Sequence, residues 1–130
     1  MIRRILLSLV LAVVPFANVA RAHHNMTALF DFNDRVTLSG TLTKVDWRNP
    51  HTYLTVEVKS TGGSMETWQA EGPSPTRFRI RDVGKADFEG NIGKGLSLEL
   101  SRARDKSLSG LIRTITLPSG RVVSACPQNC

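Results

Sequence analysis

The sequence contains few of the residues on which most catalytic and cofactor sites are built. Only 6% of its 130 residues are aromatic, and it has two cysteines and three histidines. It has no Gly-x-Ser-x-Gly element and no Cys-x-x-Cys pair, which argues against a serine hydrolase of the α/β class and a thioredoxin-like redox protein. The length allows a single domain. We therefore expect a binding or accessory protein rather than an enzyme.

A long apolar run is also missing, and this bears on the N-terminal segment. Arg3 and Arg4 precede the apolar stretch Ile5–Val14, and Pro15 and Ala20-Arg21-Ala22 follow it. About ten apolar residues are too few to span a bilayer, which needs some 20, but they suit the apolar region of a secretory signal peptide. Residues 1–22 are therefore predicted to be a cleaved signal peptide. The mature chain would be periplasmic or secreted, without a transmembrane anchor.

Strong charge of one sign is absent once this leader is removed. The whole chain has 17 Lys+Arg against 11 Asp+Glu, a net charge of +6. Three of the 17 lie in the leader, so the mature net charge is +3. A charge of this size is ordinary for solubility. We expect no nucleic-acid partner; an envelope protein or a small ligand remains open.

Alternating apolar and polar residues predict five or six β-strands. Phe30 and Phe32 have strand spacing, and the next strand is long. Val45 and Trp47 are out of phase with its earlier apolar residues, which predicts a β-bulge near Thr43-Lys44. The predicted strands cover Arg35–Trp47, Thr52–Val58, Ser64–Glu71, Leu96–Ser101, Leu111–Leu117 and Arg121–Ser124.

One short helix is predicted between the third and fourth strands. Ser74 is a typical N-cap and Pro75 a typical first helical residue, so the helix is expected over Pro75–Val83. Residues 85–95 are predicted to be mostly loop, with Phe88 and Ile92 packed against the core. A mainly β chain with a long bent first strand and this helix fits a small OB-like barrel over residues 23–125. A β-sandwich and an open meander are the alternatives.

The histidines occur in two places, and together they suggest a metal site. Cleavage after Ala22 would give His23 a free α-amine, which with the His23 Nδ1 can chelate one metal ion. His51, after the Asn49-Pro50 turn, could add a third nitrogen, and three nitrogens in a tetragonal arrangement favour Cu(II). His24 offers a rival geometry with the same amine. The alternative is that His23 and His24 form a solvated tail.

Two other features admit both a functional and a structural interpretation. Trp47, Tyr53 and Trp68 could form a platform for a glycan or small molecule, or pack in the core or at its rim. The charge run Arg77, Arg79, Arg81 and Lys85 fits a solvated face, or one that binds anionic lipid headgroups or lipopolysaccharide.

The last five residues, 126–130, form a Cys-containing tail. Cysteines in exported proteins usually pair, so a Cys126–Cys130 disulfide is expected. A redox or Cu(I)-binding thiol pair, free thiols and a bridge to another chain are the alternatives.

Several motifs resemble a family of small exported bacterial proteins of unknown function. Its members have Ala-His-His at the processed N-terminus, a Phe/Tyr-Asp segment, Val-x-Trp-x-Asn-Pro-His, a later Trp, Glu-x-Gly-Ser/Pro-Pro and Leu-Pro-x-Gly-Arg. The corresponding elements here are Ala22–His24, Phe30-Asp31, Val45–His51, Trp68, Glu71–Pro75 and Leu117–Arg121. The chain departs at Lys85, where the family has Trp after Gly, and in its Cys-containing tail. The resemblance implies export, a small β-rich domain and two His-bearing segments, but no activity.

We therefore expect an exported accessory protein that binds copper through the His23 amine and ring together with His51, with His24 as the rival ligand. The alternatives are an OB-like module for a glycan, small molecule or envelope component, and a purely structural or protein-interaction domain.

Overall fold

The computed structural model describes residues 26–125. The predicted leader, His23, His24, Cys126 and Cys130 lie outside these residues. The described part is mainly β, as expected, with six strands in one sheet and three short helices. The elements are α1 (Met26–Leu29), β1 (Phe30–Asp46), β2 (Tyr53–Lys59), β3 (Met65–Glu71), α2 (Pro75–Arg79), α3 (Lys85–Glu89), β4 (Gly95–Ala103), β5 (Ser109–Thr116) and β6 (Val122–Ser124).

The strands are ordered β3-β2-β1-β4-β5-β6, and neighbours in this order run antiparallel. An additional parallel pairing joins the C-terminal end of β3, Gln69–Glu71, to the start of β5, Ser109–Leu111. Within residues 26–125, no helix is long and apolar enough to cross a membrane.

Strand β1 has the predicted irregularity but begins earlier than expected, at Phe30 rather than Arg35. The register with β2 shifts between Leu42 and Lys44, which confirms the predicted bulge. Gly40 lies shortly before it. A Cβ at that position would meet the backbone carbonyl of Glu57 in β2, so the close approach of the two strands requires glycine there.

The segment between β3 and β4 contains two helices, so the prediction of a single helix over Pro75–Val83 is wrong. Helix α2 begins as expected, because Ser74 Oγ accepts a hydrogen bond from the Arg77 backbone N–H at 3.4 Å. It ends at Arg79. Asp82 adopts a positive φ of 55°, a left-handed conformation that a helix cannot continue through.

Helix α3 forms within the stretch that was predicted to be mostly loop. The Asp87 carboxylate accepts a hydrogen bond from the Gly84 backbone N–H at 2.7 Å, which satisfies a donor at the helix start. Phe88 is fully buried, as predicted. The expectation for Ile92 is wrong, since its side chain is 46% exposed.

The main core combines the inward residues of the strands with Phe78 and Phe88 from the two helices. The Phe78 and Phe88 rings meet edge to face, with centroids 5.2 Å apart. A second, smaller cluster consists of Phe30, Ala103 and Leu111, and Met26 packs against it. Helix α1 is thereby held on the sheet near the parallel β3–β5 pairing.

Candidate functional site

The turn between β1 and β2, residues 47–52, is fixed to the end of β3. The Thr52 backbone N–H donates to the Pro73 carbonyl at 3.1 Å, and the Gly72 N–H donates to the Thr52 carbonyl at 2.7 Å. The Asn49–Pro50 peptide within the turn is cis. His51 immediately precedes Thr52, so its backbone position is set by these two reciprocal hydrogen bonds.

A core contact holds the other end of this turn. The Trp47 ring stacks on Phe78, with centroids 5.6 Å apart and planes at 21°. It also lies 5.8 Å from the Phe88 ring. The turn is therefore attached to the core through Trp47 and to β3 through Thr52.

The His51 ring pairs with the Glu71 carboxylate, and this is the central contact of the candidate site. Nδ1 of His51 lies within hydrogen-bond distance of Oε1 of Glu71. The two side chains are only 19% and 16% exposed. A carboxylate is an acceptor only, so Nδ1 carries the hydrogen of this bond. In the neutral ring the lone pair then lies on Nε2.

Tyr53 lies beside this pair, because it is the register partner of Glu71 across β2 and β3. The pKa of its phenol is raised above the usual value of 10.0, first by burial and then by the Glu71 carboxylate. Arg48 opposes this shift. Its guanidinium lies 5.7 Å from the Tyr53 ring centroid and its Nε 3.0 Å from Asp46 Oδ2. The surroundings of Tyr53 are therefore polar and carry two carboxylates and one guanidinium.

The structure places the three residues of the predicted aromatic platform in different surroundings. Trp68 is 4% exposed and belongs to the main core. Its Nε1 donates to Glu66 at 3.0 Å, and the Arg102 guanidinium lies 5.7 Å from its ring centroid. Its register partner is Val56, and residues 53 and 56 of a strand face opposite sides. Tyr53 and Trp68 thus lie on opposite faces of the sheet.

Of the predicted metal ligands, only His51 lies in the described part of the chain. Within residues 26–125, no three His, Cys, Asp or Glu side chains are grouped so that they could hold a metal ion. Met26, which begins the described part, packs against the second cluster.

Glu71 is the site residue that the sequence reasoning did not assign. It lies 20 positions from His51 along the chain, and only the pairing of β2 with β3 brings the two together. Glu71 belongs to the segment Glu71–Pro75 at the strand end, which the motif comparison included without assigning a role to its carboxylate. Nothing in the spacing alone links that element to the Asn-Pro-His turn.

Comparison with known proteins gives one match. No curated protein and no solved structure matches the chain. The model of a family of unknown function, DUF6152, matches residues 11–113, a range that includes both His51 and Glu71. The chain therefore belongs to the DUF6152 family of unknown function, in agreement with the resemblance of its sequence motifs.

Proposed function

We propose that this protein is an exported accessory protein that binds one Cu(II) ion through His51 and the N-terminus of the mature chain. The observation that carries the proposal is the contact between His51 Nδ1 and Glu71. A metal-ligating histidine almost always donates its other ring N–H to a carboxylate, carbonyl or water, which orients the ring and raises its basicity. The His51–Glu71 pair has this arrangement, with Nε2 as the ligating nitrogen.

The remaining donors come from the N-terminus that export would create. Cleavage after Ala22 in the periplasm leaves the α-amine and Nδ1 of His23 as a chelating pair. With His51 they supply three nitrogens, a donor set that suits Cu(II). His24 is the rival second ligand, and the proposal predicts that His23 rather than His24 is required.

The position of Met26 supports this arrangement. Met26 packs against the cluster that contains Leu111, and Leu111 is the register partner of Glu71. His23 precedes Met26 by three residues, and an extended chain covers up to roughly 3.5 Å per residue, about 10 Å in all. Met26 thus lies at a cluster that contains the register partner of Glu71.

We also propose that the sheet is an OB-like barrel. Strands β3-β2-β1-β4-β5 are consecutive in the sheet, so β3 and β5 are the two ends of this five-stranded part. Their parallel pairing is the contact that would close these five strands into a barrel. Helices between β3 and β4 are compatible with this fold, and so is the bulge in β1. Solution NMR detection of amide-to-amide contacts between Gln69–Glu71 and Ser109–Leu111 would test the closure.

The metal proposal is tested on protein recovered from the periplasm. Intact mass and N-terminal sequencing establish whether the chain begins at His23. Titration with Cu(II), followed by EPR, is then expected to give one bound ion with nitrogen hyperfine splitting. His51→Ala and His23→Ala should each abolish stoichiometric binding, whereas His24→Ala should retain it.

Two controls separate the site from adventitious binding. A chain extended by several residues ahead of His23 carries its α-amine out of chelating reach of both His23 and His24, and it should lose the high-affinity site. Glu71→Gln keeps an acceptor but removes the charge, and it should weaken Cu(II) affinity 10- to 100-fold. A mature start elsewhere, or copper binding unchanged in His51→Ala, would refute the proposal.

The alternative of a glycan or small-molecule platform on Trp47, Tyr53 and Trp68 has less support. Trp68 is buried and covered by Arg102, and Trp47 stacks on the core. Only Tyr53, on the outer face with Glu71, suits a contact with such a ligand.

A further inference from the structure

A second surface, remote in sequence from His51, combines exposed aliphatic side chains with arginines. We call it the basic face, and it consists of Arg77, Arg79, Ile80, Arg121 and Val122. Ile80 is 73% exposed and Val122 is 63% exposed, the two largest values among the exposed large hydrophobic residues of the described chain. A single exposed apolar side chain needs no explanation. Here the two exposed side chains belong to segments that are hydrogen-bonded to each other.

Arg121 ties these two segments together. Its guanidinium donates to the Asp82 carbonyl at 2.8 Å and to the Arg81 carbonyl at 3.4 Å. It also lies 3.8 Å from Asp87. Arg81, which follows Ile80, is thereby in direct contact with Arg121, which precedes Val122, although the two arginines are 40 positions apart in the sequence.

The direction of Ile80 follows from the helix that precedes it. Phe78 of α2 is fully buried in the main core. Two residues later a helix has turned by roughly 200°, so Ile80 points away from the core. Arg77 and Arg79 flank it and are exposed.

The charges of these flanking arginines are not compensated by ion pairs. Within residues 26–125, neither Arg77 nor Arg79 forms a salt bridge, whereas Lys85 pairs with Glu89 at 3.0 Å. Asp82 is the acidic residue nearest in sequence. The basic face thus offers the guanidinium groups of Arg77 and Arg79, which form no salt bridge within residues 26–125, beside an exposed isoleucine.

We propose that the basic face binds the surface of a bilayer that contains anionic phospholipid. Guanidinium groups hydrogen-bond phosphate strongly, and aliphatic side chains enter the boundary between headgroups and acyl chains. Protein interfaces are enriched in aromatic residues as well as in arginine, and the basic face has arginines but no aromatic residue. The surface would hold the protein at the envelope membrane, independently of any metal on His51.

The test measures binding to vesicles of phosphatidylglycerol and phosphatidylcholine by co-sedimentation, with pure phosphatidylcholine vesicles as the neutral comparison. The protein is taken after export and checked by mass for removal of residues 1–22, since an apolar leader would itself bind vesicles. Binding is expected only to the anionic vesicles, and it should weaken as salt is raised because the contact is with surface charge.

Variants locate the contact. A cation near an anionic surface contributes a factor of about five to affinity, so Arg77→Gln/Arg79→Gln together should weaken binding by about 25-fold. Ile80→Ser should weaken it by about tenfold, because the apolar part of the contact is lost. Both changes lie at exposed positions, so the variants are expected to fold normally. Circular dichroism of each variant is used to check this.

Matched controls carry the same changes elsewhere. Lys44→Gln/Lys59→Gln removes two exposed charges, and Met65→Ser removes an apolar side chain that is 62% exposed. Each control should bind within about twofold of the unaltered chain, since surface changes away from the contact have small effects. Equal losses in test and control variants would show a general charge effect and overturn the proposal. The absence of binding to anionic vesicles at low salt would also overturn the proposal. The basic face would then be a candidate surface for a protein partner instead.

Discussion

The contact between His51 and Glu71 can be measured as a coupling energy. The experiment is a double-mutant cycle that compares the unaltered protein with His51→Ala, Glu71→Ala and the double variant. Each single variant removes the shared hydrogen bond, and each also removes contacts that belong to only one of the two residues. The cycle cancels those separate contacts and leaves the term for the pair.

The expected size follows from burial. A hydrogen bond that involves a charged group contributes about 1.5–3 kcal/mol when it is protected from water. Exposed pairs contribute about 0–1 kcal/mol. The two side chains here are 19% and 16% exposed, closer to the protected case, so we expect a coupling of about 1–2 kcal/mol.

The assay is urea unfolding at neutral pH, with the free energy of unfolding extrapolated to water for the four proteins. The metal-free protein is used so that copper binding does not add to the stability. A coupling energy below about 0.3 kcal/mol, which is the limit expected for independent sites, would show that the two side chains do not stabilise each other. His51 would then be no more than a surface residue near a carboxylate, and the argument for an oriented metal ligand would fail with it.

Three further predictions concern the core, the strand approach and the ionisation of the site. Phe78→Ala should lower the free energy of unfolding by about 3–5 kcal/mol in urea titrations, because it leaves a cavity in the main core; a loss below about 1 kcal/mol would contradict the packing. Gly40→Ala should cost at least about 2 kcal/mol by thermal unfolding, since its Cβ would meet the Glu57 carbonyl and overpacking costs about 1–3 kcal/mol; an unchanged midpoint would be inconsistent with so close an approach. The raised pKa of Tyr53 implies that its contribution to stability is constant below pH 10 and is lost as the pH rises through the folded-state value. Spectrophotometric titration of the Tyr53 phenol should show the raised pKa, and Glu71→Gln should bring it closer to the usual value. An equal titration midpoint in the Glu71→Gln variant would exclude Glu71 as a cause of the shift.

The strands were predictable because each has its own periodic signal. Leu96, Leu98 and Leu100 alternate with polar residues, and all three are buried in β4 as the alternation requires. The bulge was predictable from a change of phase along one strand. These are properties of neighbouring residues, so the sequence alone can show them.

The helices between β3 and β4 were harder to predict because they are short. Five residues contain little more than one turn, so a periodic apolar stripe cannot develop. The end of α2 depends on the left-handed conformation of Asp82, and the start of α3 on the bond from Gly84 to Asp87. The contact between Gly84 and Asp87 joins residues three positions apart, a capping spacing that can be recognised in the sequence.

The candidate site was predicted only in part, for a different reason. His51 could be selected because histidine is rare in the chain and follows a turn signal. Glu71 could not be selected, because its role depends on the register that places it beside Tyr53. Such registers are set by the pairing of whole strands and not by the residues of the site.

The pairing of β1 with β4 has a consequence for the order in which the protein is made and folded. Leu38 and Leu98 are direct partners in the sheet, and they belong to opposite halves of the chain. The sheet therefore cannot assemble while the second half is still missing, and loop closure over such distances makes folding slow. For a chain that is exported as proposed and emerges with its N-terminal end first, the sheet cannot be completed until β4 has also crossed, so folding is finished on the far side of the membrane.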